Sequence, residues 1–317
     1  MIEVLATGAM STVQDPGRHG YRRFGVGVAG PLDPLAAHIG NAMLGNDPKC
    51  ACIEIVLFPF RVRFTEDCRI ALTGADARAA IDGTPVWPWW SLTVHAGQVL
   101  SLQAPRDGGV AYLSMGGGVD VPEVLGSRST DLKAGFGGLQ GRPLRKGDSL
   151  ACLEDACLGT RQRPRGFGVR PPSAAEAGAA IRVLPAAEWD QFTDEAHTLL
   201  VTHDWKVSPN SNRIGVRLEG PALAMRRKVE LLSHGIVPGV IQVPPSGLPI
   251  VMQCDAQTSG GYPKIATVIE ADQWRIAQTP LGGRLRFEVI TLEQAQAAWD
   301  GQRRYVEAIR QAAILAQ

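Results

Sequence analysis

Between Gln253 and Asp272 the chain reads QCDAQTSGGYPKIATVIEAD, which sets a carboxylate, a phenol and an amine close together as Asp255, Tyr262 and Lys264. A carboxylate and an ammonium on one loop can share a proton or orient a carbonyl. A lysine near an apolar wall has its pKa pulled down toward use as an acid or base. These three are therefore the candidate catalytic residues, with Thr258 beside them as a hydrogen-bonding group for substrate. The bland reading stays open, in which Asp255 and Lys264 form a surface pair worth ~0–1 kcal/mol.

Further segments carry more polar and glycine residues than a β-rich core needs. In TVQDPGRHGYRRFGV, Gln14, Asp15 and Arg18 stand together, and a carboxylate beside a guanidinium suits a planar amide or carboxylate ligand. The same pair also serves to brace a loop. The glycine-rich run from 116 to 142 holds Ser127, Arg128 and Thr130. Backbone N–H groups exposed by glycine form an anion-binding nest, which the hydroxyls and Arg128 would complete. The run lacks the order of a phosphate-binding Walker loop, and no G-x-S-x-G marks a hydrolase elbow. Gln242 sits among apolar residues on an expected strand, either as a ligand-facing amide or as a satisfied core amide. These residues make up the expected substrate contacts. The histidines are scattered without metal-ligand spacing, so no metal site is expected.

The elements that must position these groups are mostly strands. IEVLAT (2–7) reads as an opening strand. DPLAAHIGNAMLGN (33–46) reads as a helix, with Asp33 as N-cap, Pro34 in the first turn and Gly45 as the left-handed C-cap. The period then changes to two, giving strands over 52–64, 68–74, 77–86, 91–102 and 110–118. Asp82-Gly83 and Ala96-Gly97 read as hairpin turns. PLRKGDSLACL closes the first half.

Residues 158–179 are polar, rich in proline and glycine and aperiodic, so they read as a linker. The expected domains are 1–157, an N-terminal barrel carrying the inserted loop and short helix, and 180–317, a C-terminal barrel plus helix. IRVLPAAEWDQFTD, GVRLEGPALAM, PSGLPIVM and PLGGRLRFEV echo segments of the first half in the same order, which points to two related barrels. Thr291 and Gln294 form a capping box at the start of the C-terminal helix.

The totals bound the function. The chain has 317 residues, 45% apolar and 20% charged, with a net charge of +1. That balance gives no basic footprint for nucleic acid. No stretch approaches the ~20 apolar residues of a membrane span. The 36 glycines and 22 prolines favour an all-β or β-rich fold with many turns. The six cysteines include no C-x-x-C, so free thiols and a reducing compartment are expected. With no signal-peptide pattern at the start, the expected location is cytoplasmic.

Taken together, TVQDPGRHGYRRFGV, GNAMLGN, GVDVPEVLGSRSTDLKAGFGG, NRIGVRLEGP, PGVIQVPPSGLPI and QTSGGYPKIATVIEAD resemble the family of allophanate hydrolase second subunits. It is also called the biotin-dependent carboxyltransferase family, and it includes the C component of 5-oxoprolinase. The resemblance runs over nearly the whole chain. It implies two cyclophilin-like β-barrels. It also implies a smaller partner subunit and, with a third lactam-utilisation subunit, ATP-dependent opening of 5-oxoproline to glutamate. Arg18, Arg128, Gln242, Asp255, Tyr262 and Lys264 match the family's motif positions. The alternatives within the family are a carboxyltransferase or allophanate-hydrolase-like subunit acting on urea-type substrates, and a non-catalytic antagonist that binds a kinase-inhibitor protein. The chain lacks a Met-Lys-Met attachment sequence, so biotin enters only through a carboxyltransferase role. No nucleotide loop is evident, so ATP and its Mg are assigned to the complex.

Overall fold

The computed structural model describes residues 1–155, 166–172, 179–227 and 231–315. Most of the expected linker over 158–179, and Cys157, lie outside the described residues. The chain forms two compact units, each made of discontinuous segments. The first comprises Met1–Arg18, Ala29–Pro171 and Arg303–Gln317; the second comprises His19–Val28 and Pro172–Gln302. Strand outweighs helix, 32% to 20%, as the turn-rich composition anticipates.

In the first unit a seven-stranded sheet runs in the order Val119–Asp120, Ser149–Cys152, Ile2–Ala6, Phe60–Phe64, Val99–Leu102, Ala80–Ile81, Thr84–Pro85. A five-stranded sheet has the order Ser11–Gln14, Cys52–Ile55, Asp107–Met115, Cys68–Asp76, Trp90–Val94. Alternating residues of both meet in one core: Ile2, Val4, Phe60, Val62 and Leu100 from one, Val13, Ile53, Ile70 and Leu113 from the other. Phe60, Val62 and Phe64 point inward while Arg61 and Arg63 are exposed, the period-two signature of a half-buried strand.

Helix α1 (Pro34–Leu44) starts and stops where its residues dictate. The Asp33 carboxylate accepts from Ala36 N at 2.9 Å, and Gly45 has φ +69°. Its entry is fixed from the sheet. Leu32 N and the Tyr112 hydroxyl both donate to Glu54 Oε2 at 2.6 Å, and Asp33 N donates to the Tyr112 oxygen at 2.8 Å. Burial, and then the Glu54 charge, push the Tyr112 phenol pKa up, which keeps it a donor.

Two local expectations change. The single strand over 52–64 is two strands in different sheets, with a break that contains Pro59, which has no N–H to give a ladder. Ala96-Gly97 is not a hairpin turn: Trp90–Val94 pairs with Cys68–Asp76 and Val99–Leu102 with Phe60–Phe64, so the turn carries the chain from one sheet to the other. Asp82-Gly83 is a two-residue hairpin turn, with Ile81 opposite Thr84 and φ of +49° and +83°.

In the second unit an eight-stranded sheet has the order Arg284–Leu285, Trp205–Val207, Gly215–Glu219, Ile250–Met252, Val240–Gln242, Lys264–Val268, Ile181–Pro185, Phe287–Val289. Its two edge strands, Arg284–Leu285 and Phe287–Val289, follow each other directly in the chain with only Arg286 between. A sheet whose edges are that close must curl back on itself, so this one is a nearly closed barrel. Val183, Val207, Leu218, Ile241, Val251, Ile265 and Phe287 fill it, with Ala196 and Leu200 of helix α2 (Asp194–Thr202) and Ile276 of helix α3 (Gln273–Gln278). Helix α4 (Leu292–Leu315) opens with the expected capping box: Thr291 N donates to Gln294 Oε1 at 2.9 Å and Gln294 N to Thr291 Oγ1 at 3.3 Å. No described helix is long and apolar enough to cross a membrane.

Candidate functional site

The sequence-predicted residues fall into two groups. Gln14, Asp15, Arg18, Ser127, Arg128 and Thr130 belong to the first unit; Gln242, Asp255, Thr258, Tyr262 and Lys264 belong to the second.

The first group builds a buried joint between two loops. Asp15 accepts from Gly17 N at 2.9 Å, Ser127 Oγ at 2.5 Å, Ser129 Oγ at 2.6 Å and Arg128 N at 2.5 Å. The nest expected for an external anion is therefore filled by the chain's own carboxylate. Thr130 Oγ1 donates to Val13 O at 2.9 Å, and Gln14 Nε2 to Thr12 Oγ1 at 3.0 Å. Arg18 was expected to face a ligand and does not. Its side chain is fully buried, its guanidinium lies 4.6 Å over the Phe136 ring, and it donates to Val124 O and Ser129 O. Arg128 reaches outward to Glu123 at 2.6 Å and is held by Val121 O at 3.1 Å. Close packing requires glycine here: a Cβ on Gly137 would lie 2.1 Å from Ser129 O, and one on Gly138 1.9 Å from Thr130 Oγ1.

The second group gathers around Lys264. The strand Lys264–Val268 pairs with Ile181–Pro185, so Glu188 comes off the end of its neighbour directly beside Lys264. Lys264 N donates to Glu188 Oε2 at 2.9 Å. On the other side Gln242 stands opposite Lys264, at a register shift between Ile241 and Gln242. An irregularity of this kind re-aims a side chain. Lys264 Nζ meets His234 Nε2 at 2.5 Å and the carbonyls of Gly260 and Tyr262 at 3.3 Å each. His234 Nε2 also lies 3.4 Å from Glu188 Oε1. His234 reaches this place because His234–Gly235 pairs with Ser259–Gly260. Packing around this pairing demands glycine at Gly260, where a Cβ would sit 2.6 Å from Ile236 Cδ1 and 3.1 Å from Gln242 Nε2.

Lys264 is buried, Glu188 is buried, and the His234 side chain is 40% exposed. Burial pushes the Lys264 ammonium below the ordinary lysine range, and the Glu188 charge pulls it partly back. An amine of lowered basicity against an imidazole can pass a proton across one short hydrogen bond. Solvent reaches the trio through His234.

The proton pair expected between Asp255 and Lys264 is corrected. Both Asp255 oxygens are taken by Arg213, at 2.8 and 3.1 Å, in a bidentate pair out of solvent. The Tyr262 side chain is 48% exposed, and its carbonyl, not its phenol, is what Lys264 meets. Thr258 contributes its carbonyl to Ile236 N at 3.1 Å. His234 and Glu188 were missed. His234 lies just before the PGVIQVPPSGLPI motif, but its pairing with Gly260 is a product of strand register. Glu188 carries no motif at all. Among the described residues no His, Cys, Asp or Glu cluster has metal-holding geometry, and the described cysteines are free thiols.

Residues 24–289 match the model of the carboxyltransferase domain, subdomain A and B. The chain is 43% identical over 313 residues to the C component of 5-oxoprolinase from Escherichia coli (strain K12), covering 97% of each. It is 31% identical over 316 residues to the urea amidolyase of Saccharomyces cerevisiae, covering 95% of this chain and 17% of that one. The crystal structure of the K. lactis urea amidolyase superposes with a TM-score of 0.86 at 31% identity, over 97% of this chain and 20% of that one. Matches of this length and identity leave one conclusion: the chain belongs to the carboxyltransferase domain family, subdomains A and B.

Proposed function

We propose that the chain is the larger carboxyltransferase-like subunit of a 5-oxoprolinase-type assembly that opens a small lactam, 5-oxoproline, to glutamate at the expense of ATP. The observation that carries this reading is the 43% identity with the C component of 5-oxoprolinase, which extends over 97% of both chains. In the assembly a smaller partner completes the substrate site, a third lactam-utilisation subunit takes part, and ATP with its Mg is used by the complex. The Lys264–His234 pair moves the proton. Opening the lactam adds water to the ring carbonyl, breaks its C–N bond and puts a proton on the departing nitrogen. His234, the exposed member, delivers it, and Lys264 Nζ restores it across the shared hydrogen bond. The Glu188 charge favours the protonated form of Lys264, and its Oε1 lies 3.4 Å from His234 Nε2. The carbonyls of Gly260 and Tyr262 hold the lysine amine, while Gln242 stands opposite Lys264 on the neighbouring strand.

The test is reconstitution with the two partner subunits from the same source. The chain alone is expected to be inactive, and the assembly to turn ATP and 5-oxoproline into ADP, phosphate and glutamate. A second reading, carboxyl transfer to a urea-type substrate, is favoured by the superposition on urea amidolyase. There biotin would arrive on a partner. An assembly that ignores 5-oxoproline yet carboxylates urea from carboxybiotin establishes that reading and defeats the first.

A further inference from the structure

Arg22 is the unusual cation of the second unit. It opens the short 3-10 turn Arg22–Phe24, which Gly25 ends with φ +82° and an N–H donated to Arg22 O. Arg23 and Phe24 are exposed, but both terminal nitrogens of Arg22 are closed off from solvent with no hydrogen-bond partner among the described residues. Desolvation lowers the pKa of the guanidinium. Two buried arginines are matched by carboxylates: Arg69 is bidentate with Asp155 at 2.8 Å through Nε and Nη2, and Arg213 with Asp255. A guanidinium stays charged at every ordinary pH, and an enclosed charge without a counter-charge is strongly unfavourable.

We propose that Arg22 is the receptor for the carboxylate of a small ligand, which docks beneath the turn and supplies the two acceptors that its fork lacks. Fork and carboxylate match in geometry, two parallel N–H···O bonds. Glycine conformation shapes the turn: Gly20 has φ +92° and Gly25 φ +82°, and a Cβ at either would meet nothing within 4 Å. Packing therefore does not demand glycine at these positions, whereas backbone conformation does. The segment also runs past the loop of the Lys264 cluster. A Cβ on Gly27 would lie 3.8 Å from Ala256 O, and Ala256 leads through Gln257 and Thr258 into the strand that carries Gly260. This inference deepens the proposed function, since 5-oxoproline carries a carboxylate beside its lactam, but the arginine receptor is testable without it.

The experiment is thermal unfolding of the full chain with sodium acetate against sodium chloride at matched ionic strength, repeated with 5-oxoproline and with its neutral carboxamide. The wild type is expected to gain midpoint temperature with acetate. Arg22→Met is expected to melt no lower than wild type without ligand, because it removes an unmatched charge, and to lose the acetate effect. Arg22→Lys keeps the charge but not the fork, and is expected to bind about tenfold or more weakly. An acetate shift that is equal in wild type and Arg22→Met, or absent from the wild type, overturns the receptor. Acetate binding without 5-oxoproline binding supports the receptor and counts against the lactam substrate. The carboxamide binding as well as 5-oxoproline shows that the carboxylate is not what is recognised, and also overturns it.

Discussion

Asp15 and Lys264 are both charged groups taken out of water, yet they meet opposite surroundings. Asp15 collects four donors from a glycine-rich loop and its own turn, each within 2.9 Å. Lys264 has two backbone carbonyls and an imidazole, while the carboxylate beside it is engaged with its own backbone N–H. A fully matched charge locks a loop; a charge that burial has made costly, held against a half-exposed imidazole, is positioned to move a proton. Residue types alone made the two regions look alike, since each offers acid, base and glycine.

Several substitutions separate the two roles. The largest effect is expected at Lys264. Lys264→Met should lower kcat of the reconstituted assembly by about 10²–10⁴-fold, the range of a lost acid–base group, while urea unfolding shows little loss of stability. Equal rates in the variant and wild type would remove Lys264 from the chemistry.

Asp15→Ala should do the reverse. It strands two hydroxyls and two backbone N–H groups, and removes about 3–5 kcal/mol of stability measured by urea unfolding. If it unfolds at the wild-type urea concentration, the loop is not braced by that carboxylate. Ser127→Ala withdraws a single donor and should cost about 1–3 kcal/mol in the same assay.

Glu188→Gln tests the electrostatics of the second region. The Glu188 charge raises the Lys264 pKa against the lowering by burial, so its removal should move the basic limb of the kcat–pH profile to lower pH. An unmoved limb would mean that another group titrates there.

The smallest effect is thermodynamic. The folded-state pKa of Lys264 lies below its unfolded value, so between the two the unfolded chain binds more protons and stability rises with pH. Wild type should therefore gain stability relative to Lys264→Met as pH rises through the window below 10.5, the ordinary lysine value. A difference that is flat with pH would show that the lysine titrates normally.

Much of the architecture was readable from the chain. Asp33, Pro34 and Gly45 delimit α1 because capping is a local matter, settled by side chains within a few residues of the ends. Asp82-Gly83 made its hairpin for the same reason, and Thr291 with Gln294 made its capping box. Ala96-Gly97 misled because a turn dipeptide specifies a change of direction but not the sheet to which the next strand adds. The family motifs also located the segments that carry both polar clusters. What the sequence could not specify was partnership. Asp255 had Lys264 close by in the chain and bonded to Arg213; Lys264 bonded to His234, and Asp15 took the nest that seemed meant for a ligand. Hydrogen bonds form across strand register and loop closure, over separations that residue spacing does not encode, so only the folded chain decides which charges are matched and which remain to do chemistry.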